Sequence, residues 1–284
     1  MRRARSDSSG VNSFKAWRAL PAPGLRSAVQ VYACYEYGPG HHQNRLVLPD
    51  TVATIGFGFG SPVHTLDTAD PRRSVSCFHR ADLPLTSALV GRHGGGVRGI
   101  VLRMTPMGAY SLFGTPMHHW DLPYLDPADL LPPALRHLPE QLESATWHGQ
   151  VRILDALLLP LVGRGPAVSP EVAWSWRELH RTHGQVKVKE LTAGTYWSTR
   201  HLERRFREQV GRTPSAIARI LRLSHALRLQ GTGMPLAKVA QHAGFHDQSH
   251  YNHVFKAMTG ITPRAVPADL VDWSPSTEPP RDAA

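Results

Sequence analysis

The apolar and polar positions between residues 243 and 263 predict a helix that lies between two turns. Four apolar residues recur at i, i+3, i+4 and i+7, which places them on one face of a helix: Tyr251, Val254, Phe255 and Met258. Asp247 precedes this stripe and carries a carboxylate that suits a helix N-cap. Gly260 then ends the helix, and Pro263 prevents its continuation.

The same order of cap, apolar stripe and terminator occurs 49 residues upstream. The corresponding residues are Ser198, Leu202, Phe206, Gly211, Thr213 and Pro214. A short helical segment precedes each capped helix, at residues 188–193 and 236–242. A short helix, a turn and a capped helix with a polar outer face form a helix-turn-helix, so the repeat predicts two such units.

The polar faces of the two capped helices carry side chains that suit duplex DNA. The candidate DNA-binding residues are Thr199, Arg200, Glu203, Arg204 and Arg207 on the first helix, and Gln248, Ser249, Asn252, His253 and Lys256 on the second. Arginine can hold a guanine edge through two hydrogen bonds, and glutamine or asparagine can hold adenine in the same way. We expect Arg207 and Lys256, near the helix ends, to hold phosphates. The alternative for each single residue is a solvated polar side chain.

The charge is concentrated on the same part of the chain. The 284 residues carry a formal net charge of +10. Residues 177–264 alone have a net charge of +10, whereas residues 19–176 have −1. A polyanionic partner requires such an excess where it binds, so the distribution favours double-stranded DNA as the partner of the repeat.

The N-terminal half has the pattern of an antiparallel β-rich domain. Segments at residues 28–37, 51–59, 75–79 and 99–104 are rich in β-branched and aromatic residues and are separated by Gly, Pro and Asp. The pattern turns helical from about residue 129, with one apolar stripe formed by Val151, Leu154, Leu158 and Leu161. The predicted fold class is therefore α+β with two domains: a sandwich or barrel-like sheet with helices, then an all-α tandem helix-turn-helix. The stripe belongs either to the core of its own domain or to a homodimer surface.

Composition also sets the predicted boundaries. Residues 1–13 and 274–284 are polar and are expected to be disordered. Residues 14–165 form the predicted regulatory or sensor domain, and residues 170–270 form the DNA-binding domain. A Gly- and Pro-containing linker at residues 163–169 separates them.

The repeat resembles the AraC/XylS-type transcription regulators. The motif that carries the resemblance consists of Gly244-Phe245, Asp247-Gln248-Ser249-His250-Tyr251, Phe255-Lys256 and Gly260-Ile261-Thr262-Pro263. Three positions depart from the family pattern: His253 replaces the usual arginine, Arg205 replaces a common apolar residue, and Val266-Pro267 replaces a frequent Tyr-Arg pair. Residues 101–114 also resemble part of a sensor domain that precedes such repeats. The resemblance implies a rigid helix between the two units and RNA polymerase as a partner.

Catalytic and metal-binding motifs are absent from the sequence. The adjacent pairs His41-His42 and His118-His119 would point to opposite faces of a strand, and neither has the spacing of a metal site. The glycine-rich segment at residues 91–99 lacks the ending of a phosphate loop and is expected to be a flexible hairpin or loop. Two cysteines, Cys34 and Cys77, are too few for a disulfide framework. We therefore expect no cofactor, no metal and no enzymatic activity.

The sequence predicts a sequence-specific DNA-binding transcription regulator. We expect its N-terminal domain to bind a small-molecule effector, to form a homodimer, or both. We see neither a signal peptide nor an apolar run long enough to cross a membrane, so a cytoplasmic protein is expected. The alternatives are an N-terminal domain that processes a small molecule and binds DNA only as an accessory, and an architectural DNA binder without sequence preference.

Overall fold

A computed structural model describes residues 2–7, 14–121, 125–131 and 137–266 of the chain. For residues 2–7 and 40–44 it describes the backbone alone. The predicted C-terminal tail at residues 274–284 lies outside the described part.

Eight strands form one antiparallel sheet in the first half of the described chain. They are β1 (Arg2–Asp7), β2 (Phe14–Ala19), β3 (Val29–Val47), β4 (Ala53–Gly60), β5 (Val63–Asp67), β6 (Val75–Cys77), β7 (His79–Asp82) and β8 (Leu89–Met104). The main path runs β1-β2-β3-β8-β4-β7, and β5 pairs with both β6 and β8. The long strand β8, which pairs with β3 along its length, joins the main path to the branch formed by β5 and β6. Its first half pairs with β5, and its second half pairs with β4.

Two expectations about the N-terminal half need correction. Residues 2–7 lie in the segment expected to be disordered, but they pair with β2 as strand β1, because backbone pairing requires no apolar side chains. Residues 91–99 were expected to form a flexible hairpin or loop, and they lie inside β8 instead. Gly95 and Gly96 have φ values of 88° and 64°, which a glycine adopts without strain. The register between β3 and β8 shifts next to Gly95, so the glycines accommodate an irregularity in a continuous strand.

Helices cover one face of this sheet. They are α1 (Pro106–Phe113), α2 (Leu138–Ser144) and α3 (Trp147–Leu158). Leu154 and Leu158 of α3 are buried in the same core as Ile55 and Ile100 of the sheet, and Val151 and Leu161 pack against that core. The apolar stripe on α3 therefore belongs to its own domain, which removes this stripe as a homodimer surface. Asp155 fastens the helix to the sheet by accepting hydrogen bonds from the Tyr32 hydroxyl at 2.9 Å and the Ala22 N–H at 3.0 Å.

Six helices form a second domain with a core of its own. They are α4 (Pro170–Arg181), α5 (Val188–Thr195), α6 (Thr199–Val210), α7 (Pro214–Gly231), α8 (Leu236–His242) and α9 (Gln248–Thr259). Leu202, Phe206, Tyr251 and Phe255 have no exposed surface, as the two apolar stripes predict. The described residues thus confirm the predicted class, in which a β-rich domain precedes an all-α domain.

Three histidines lie together where α4 meets α7. The rings of His183 and His225 stack with their centroids 4.2 Å apart, and the Arg228 guanidinium lies 3.3 Å from Nδ1 of His183. Burial, followed by repulsion from neighbouring positive groups, lowers the pKa of His180 and of His225 to about 4. The same causes lower the pKa of His183. The cluster is therefore stable as neutral imidazoles.

The histidine cluster predicts that acid destabilises the helical domain. As pH falls below about 6.5, the unfolded chain binds protons that the folded cluster does not bind. The cluster's contribution to the free energy of unfolding is therefore fully present above that pH and is lost progressively toward about pH 4. Thermal melting between about pH 7.5 and about pH 5 should show this loss. His225→Gln should reduce the dependence on pH, whereas His148→Gln, at an exposed position, should leave it unchanged. Identical pH dependence in the parent and in His225→Gln would contradict the assignment.

Candidate nucleic-acid interface

The first helix-turn-helix consists of α5, a short turn and α6. The Ser198 hydroxyl accepts a hydrogen bond from the His201 N–H at 3.2 Å, so Ser198 is the N-cap that the sequence predicts. Gly211 ends α6 in the left-handed conformation, with φ at 83°. These two ends fix the rotation of α6, so that Leu202 and Phe206 lie in the core and the opposite face points outward.

The outward face of α6 is polar and basic. Thr199, Arg200, Arg204 and Arg207 are exposed, and Glu203 is partly buried. None of the three arginines forms an ion pair with another described residue, so their guanidinium groups are available to a ligand. Arg205, which replaces an apolar residue in the resembling family, points elsewhere: it pairs with Glu208 at 2.8 Å and donates to the Ser169 hydroxyl at 2.9 Å.

The second helix-turn-helix consists of α8, a turn and α9. The Asp247 carboxylate accepts a hydrogen bond from the His250 N–H at 2.7 Å and lies 3.0 Å from Nδ1 of His246. The first of these contacts, followed by the second, lowers the pKa of Asp247 below its ordinary value, so the cap is charged at neutral pH. Gly260 ends α9 in the left-handed conformation.

The outward face of α9 is polar but carries less charge. Ser249, His253 and Lys256 are exposed, whereas Gln248 and Asn252 are partly buried. Oδ1 of Asn252 is shielded from solvent and accepts no hydrogen bond within the described residues. The ten candidate side chains thus lie on two separate helices, five on each, and seven of them are exposed.

Helix α7 joins the two units and is buried along most of its length. Its 18 residues span about 27 Å at 1.5 Å per residue. Ile217, Ile220 and Leu223 have no exposed surface. Arg222 lies over the Phe245 ring at 5.7 Å and donates to the Gly244 carbonyl at 3.4 Å, which fastens α7 to the turn before α9. Because α7 packs within the same core as both units, it fixes the separation of α6 and α9.

Helix α6 is also bonded to the N-terminal domain near its C-terminal end. Arg212 pairs with Asp121 at 2.8 Å and donates to the Pro84 carbonyl at 2.9 Å. Burial alone would raise the pKa of Asp121, but its contacts with Arg212, and next with Arg73, outweigh burial and lower it. The Tyr110 hydroxyl of α1 donates to Glu208 of α6 at 3.2 Å.

Helix α9 meets the N-terminal domain at its own C-terminal end. The N–H of Ala88, the residue that directly precedes β8, donates to the Met258 carbonyl at 2.7 Å. A Cβ placed on Gly260 would lie 3.2 Å from Cβ of Thr68, so the domains approach closely here. Both capped helices are therefore held at one end while their outward faces stay open. The sequence patterns gave no sign of these contacts, since each joins residues far apart in the chain.

Other chemistry is sparse in the described residues. Within them, no group of three or more His, Cys, Asp or Glu side chains is placed to hold a metal ion. Burial raises the pKa of the Cys34 thiol to about 12, so it stays protonated at neutral pH. No helix among the described residues has the length and apolar composition to cross a bilayer.

Comparison with known proteins gives matches to the helical domain. Residues 191–268 match the family model of a helix-turn-helix domain. The HTH-type transcriptional activator RhaR of Enterobacter sp. (strain 638) is 39% identical over 67 residues, which are 23% of this chain and 24% of that protein. The uncharacterized HTH-type transcriptional regulator YisR of Bacillus subtilis (strain 168) is 25% identical over 101 residues, 34% of this chain and 35% of that protein. The chain thus matches about a quarter to a third of the length of these relatives.

Solved structures give broader but weaker similarities. The crystal structure of ToxT from Vibrio cholerae aligns with a TM-score of 0.42 at 11% identity, over 91% of this chain and 96% of that one. The xylose-binding transcription activator xylR aligns with a TM-score of 0.32 at 24% identity, over 37% of this chain and 27% of that one.

The helical domain contains a helix-turn-helix domain. The family match at residues 191–268 lies on the tandem repeat, including the motif around Asp247 and Gly260. The ten individual DNA-binding residues stay predictions.

The geometry of α6 predicts that two of its arginines have different roles. Arg204→Ala should cost about 1–3 kcal/mol of binding free energy on the preferred site and relax the preference at one base pair. Arg207→Ala, nearer the helix end, should weaken binding to all sequences about equally. Competition against a randomised duplex library measures both effects.

Arg164→Ala is the matched control, because it removes an exposed arginine from the linker between the domains. If Arg204→Ala and Arg207→Ala show the same specificity profile, the assignment of the α6 face is wrong.

Proposed function

We propose that the protein is a sequence-specific transcription regulator whose two helix-turn-helix units read successive major-groove segments of duplex DNA. The observation that carries this proposal is the presence of two capped helices, each of 12 residues, with open polar faces and a buried helix between them. The N-terminal part of a recognition helix contacts base edges, and one helical turn of DNA separates successive segments by about 34 Å. Helix α7, which lies between the two units, spans about 27 Å.

The proposed reading surface consists of the ten residues on α6 and α9. Arg200 and Arg204 would reach guanine edges, and Gln248 would reach an adenine edge. Asn252 would reach an adenine edge after its side chain rotates, because its Oδ1 is shielded from solvent in this structure. Arg207 and Lys256 would hold phosphates. The proposed DNA-binding domain extends over residues 170–270, and the proposed regulatory domain over residues 14–165. We place the protein in the cytoplasm, where its DNA lies.

The proposed mechanism is binding and not catalysis. The alternative of an enzyme with accessory DNA binding gains no support, since the family match falls on the helix-turn-helix domain and Cys34 is protonated. An effector bound by the N-terminal domain, a homodimer and a contact with RNA polymerase are further parts of the proposal. The last of these rests on the family resemblance alone.

Selection of bound duplexes from a randomised library by the full chain tests this function. We expect enrichment of a motif with two parts about one helical turn, or about 10 base pairs, apart. Affinity should fall steeply with salt, because lysine and arginine displace counterions from phosphates. Binding with no enriched motif would favour an architectural DNA binder, and no binding at low salt would remove the proposal.

The contacts between the domains support control of DNA reading by the N-terminal domain. The segment from Pro84 to Ala88 bonds to both units: Pro84 accepts from Arg212, just after α6, and Ala88 donates to Met258 of α9. A shift of this segment would move the ends of both recognition helices together. An effector that favours one position of the segment would therefore change the affinity for DNA.

The ion pair between Arg212 and Asp121 predicts how this contact can be loosened. Asp121→Asn removes the charged partner of Arg212, whose side chain is 16% exposed, and should speed hydrogen exchange in residues 83–88 and 206–212. Arg73→Ala is the control, because Arg73 is the other partner of Asp121. The Arg73 side chain is 37% exposed, so its ion pair should contribute less. Mass spectrometry should show faster exchange in the first variant only. Equal exchange in both variants would contradict a role for this pair.

A further inference from the structure

The turns of the two helix-turn-helix units differ at one equivalent residue. In the second unit, Gly244 takes the left-handed conformation after α8, with φ at 74°, and the Phe245 ring packs into the core behind it. In the first unit, Tyr196 takes the left-handed conformation after α5, with φ at 56° and ψ at 18°, and Trp197 packs behind it. Tyr196 therefore occupies the place that glycine occupies in the other copy.

The backbone at Tyr196 is unfavourable for a tyrosine. A left-handed residue with a Cβ is strained, which is why glycine is usual at this position. Only Tyr196 and His183 combine a positive φ with a side chain among the described residues. The His183 ring stacks on His225, so its conformation has a packing partner.

The Tyr196 side chain has no such partner. It is 96% exposed, the largest exposed fraction among the large apolar side chains of the described chain. It forms no hydrogen bond or ring contact with another described residue. No contact within the described residues therefore compensates for the strained backbone at Tyr196. Strained residues of this kind cluster at functional sites, which suggests that Tyr196 contacts a ligand.

The position of Tyr196 identifies that ligand. The residue stands two positions before Ser198, the N-cap of α6, and Thr199 and Arg200 are the first two residues of that helix. In a helix-turn-helix, the first helix crosses the DNA backbone and the N-terminal part of the second enters the major groove. The turn between them thus passes the sugar-phosphate backbone at the edge of the groove. A tyrosine hydroxyl is one of the groups that donate hydrogen bonds to DNA phosphates.

We propose that Tyr196 is a further DNA-contact residue, whose hydroxyl donates a hydrogen bond to a phosphate at the edge of the groove that α6 reads. This inference rests on the proposed function and adds a residue outside the two recognition helices. A phosphate contact carries no sequence information, so Tyr196 sets the position of α6 on the duplex and not its base preference.

Two variants of the full chain test the contact. Tyr196→Phe keeps the ring and the backbone and removes the hydroxyl, and it should weaken binding to every duplex about tenfold, as expected for a hydrogen bond to a charged group. Tyr196→Gly relieves the left-handed backbone, so it should melt no lower than the parent and still bind DNA more weakly. Leu20→Ala, at a residue 66% exposed on the other domain, is the control and should bind as the parent does.

Duplexes with single methylphosphonate substitutions locate the phosphate. At one position, the parent and Tyr196→Phe should bind equally, because the contact is already lost from both. Parent-like affinity of Tyr196→Phe for unmodified DNA, or a changed base preference in that variant, would overturn the proposal while leaving the proposed function intact. A parent chain that binds no duplex would remove both.

Discussion

The burial of α7 between the two helix-turn-helix units is the constraint on which the rest of the arrangement depends. Its apolar residues lie in the core shared with α6 and α9, so neither of these helices can move relative to the other without disrupting that core. Arg222 adds a polar attachment to the turn at Gly244. Without this burial, each helix-turn-helix unit would bind weakly and independently of the other. The buried helix holds the two units at a fixed separation, so that they bind together.

Local signals in the sequence predicted the helical domain closely. Each N-cap and each terminator bonds to a residue three or four positions away, and these hydrogen bonds form at Ser198, Asp247, Gly211 and Gly260. The apolar stripes likewise specify which face is buried, because the period of a helix is fixed. The outward faces followed from the same period, which is why all ten candidate residues lie on two helix surfaces.

Long-range features could not be predicted in the same way. Strand β1 forms through backbone pairing with β2, and a polar sequence gives no apolar signal for it. The glycines near Gly95 indicated a loop. The residues before and after them in the chain pair with β3, however, and this pairing keeps the segment in β8. The contact between Arg212 and Asp121 joins two domains through residues that carry no local pattern. Tyr196 carries no signal in the sequence, because its distinguishing feature is a left-handed backbone conformation.

The contacts between the domains give the protein a physical route for regulation. Helices α6 and α9 are held at their C-terminal ends by the N-terminal domain, and their N-terminal ends and outward faces are exposed. A change at the interface would alter the common position of two helices and not the chemistry of either reading face. Regulation would then affect affinity more than sequence preference.

Hydroxyl-radical footprinting of the full chain on a selected duplex tests the central claim most directly. If α7 holds both units on the DNA, two stretches of backbone should be protected on one face of the duplex, about one helical turn apart. A single protected stretch, or two stretches on opposite faces, would contradict the account.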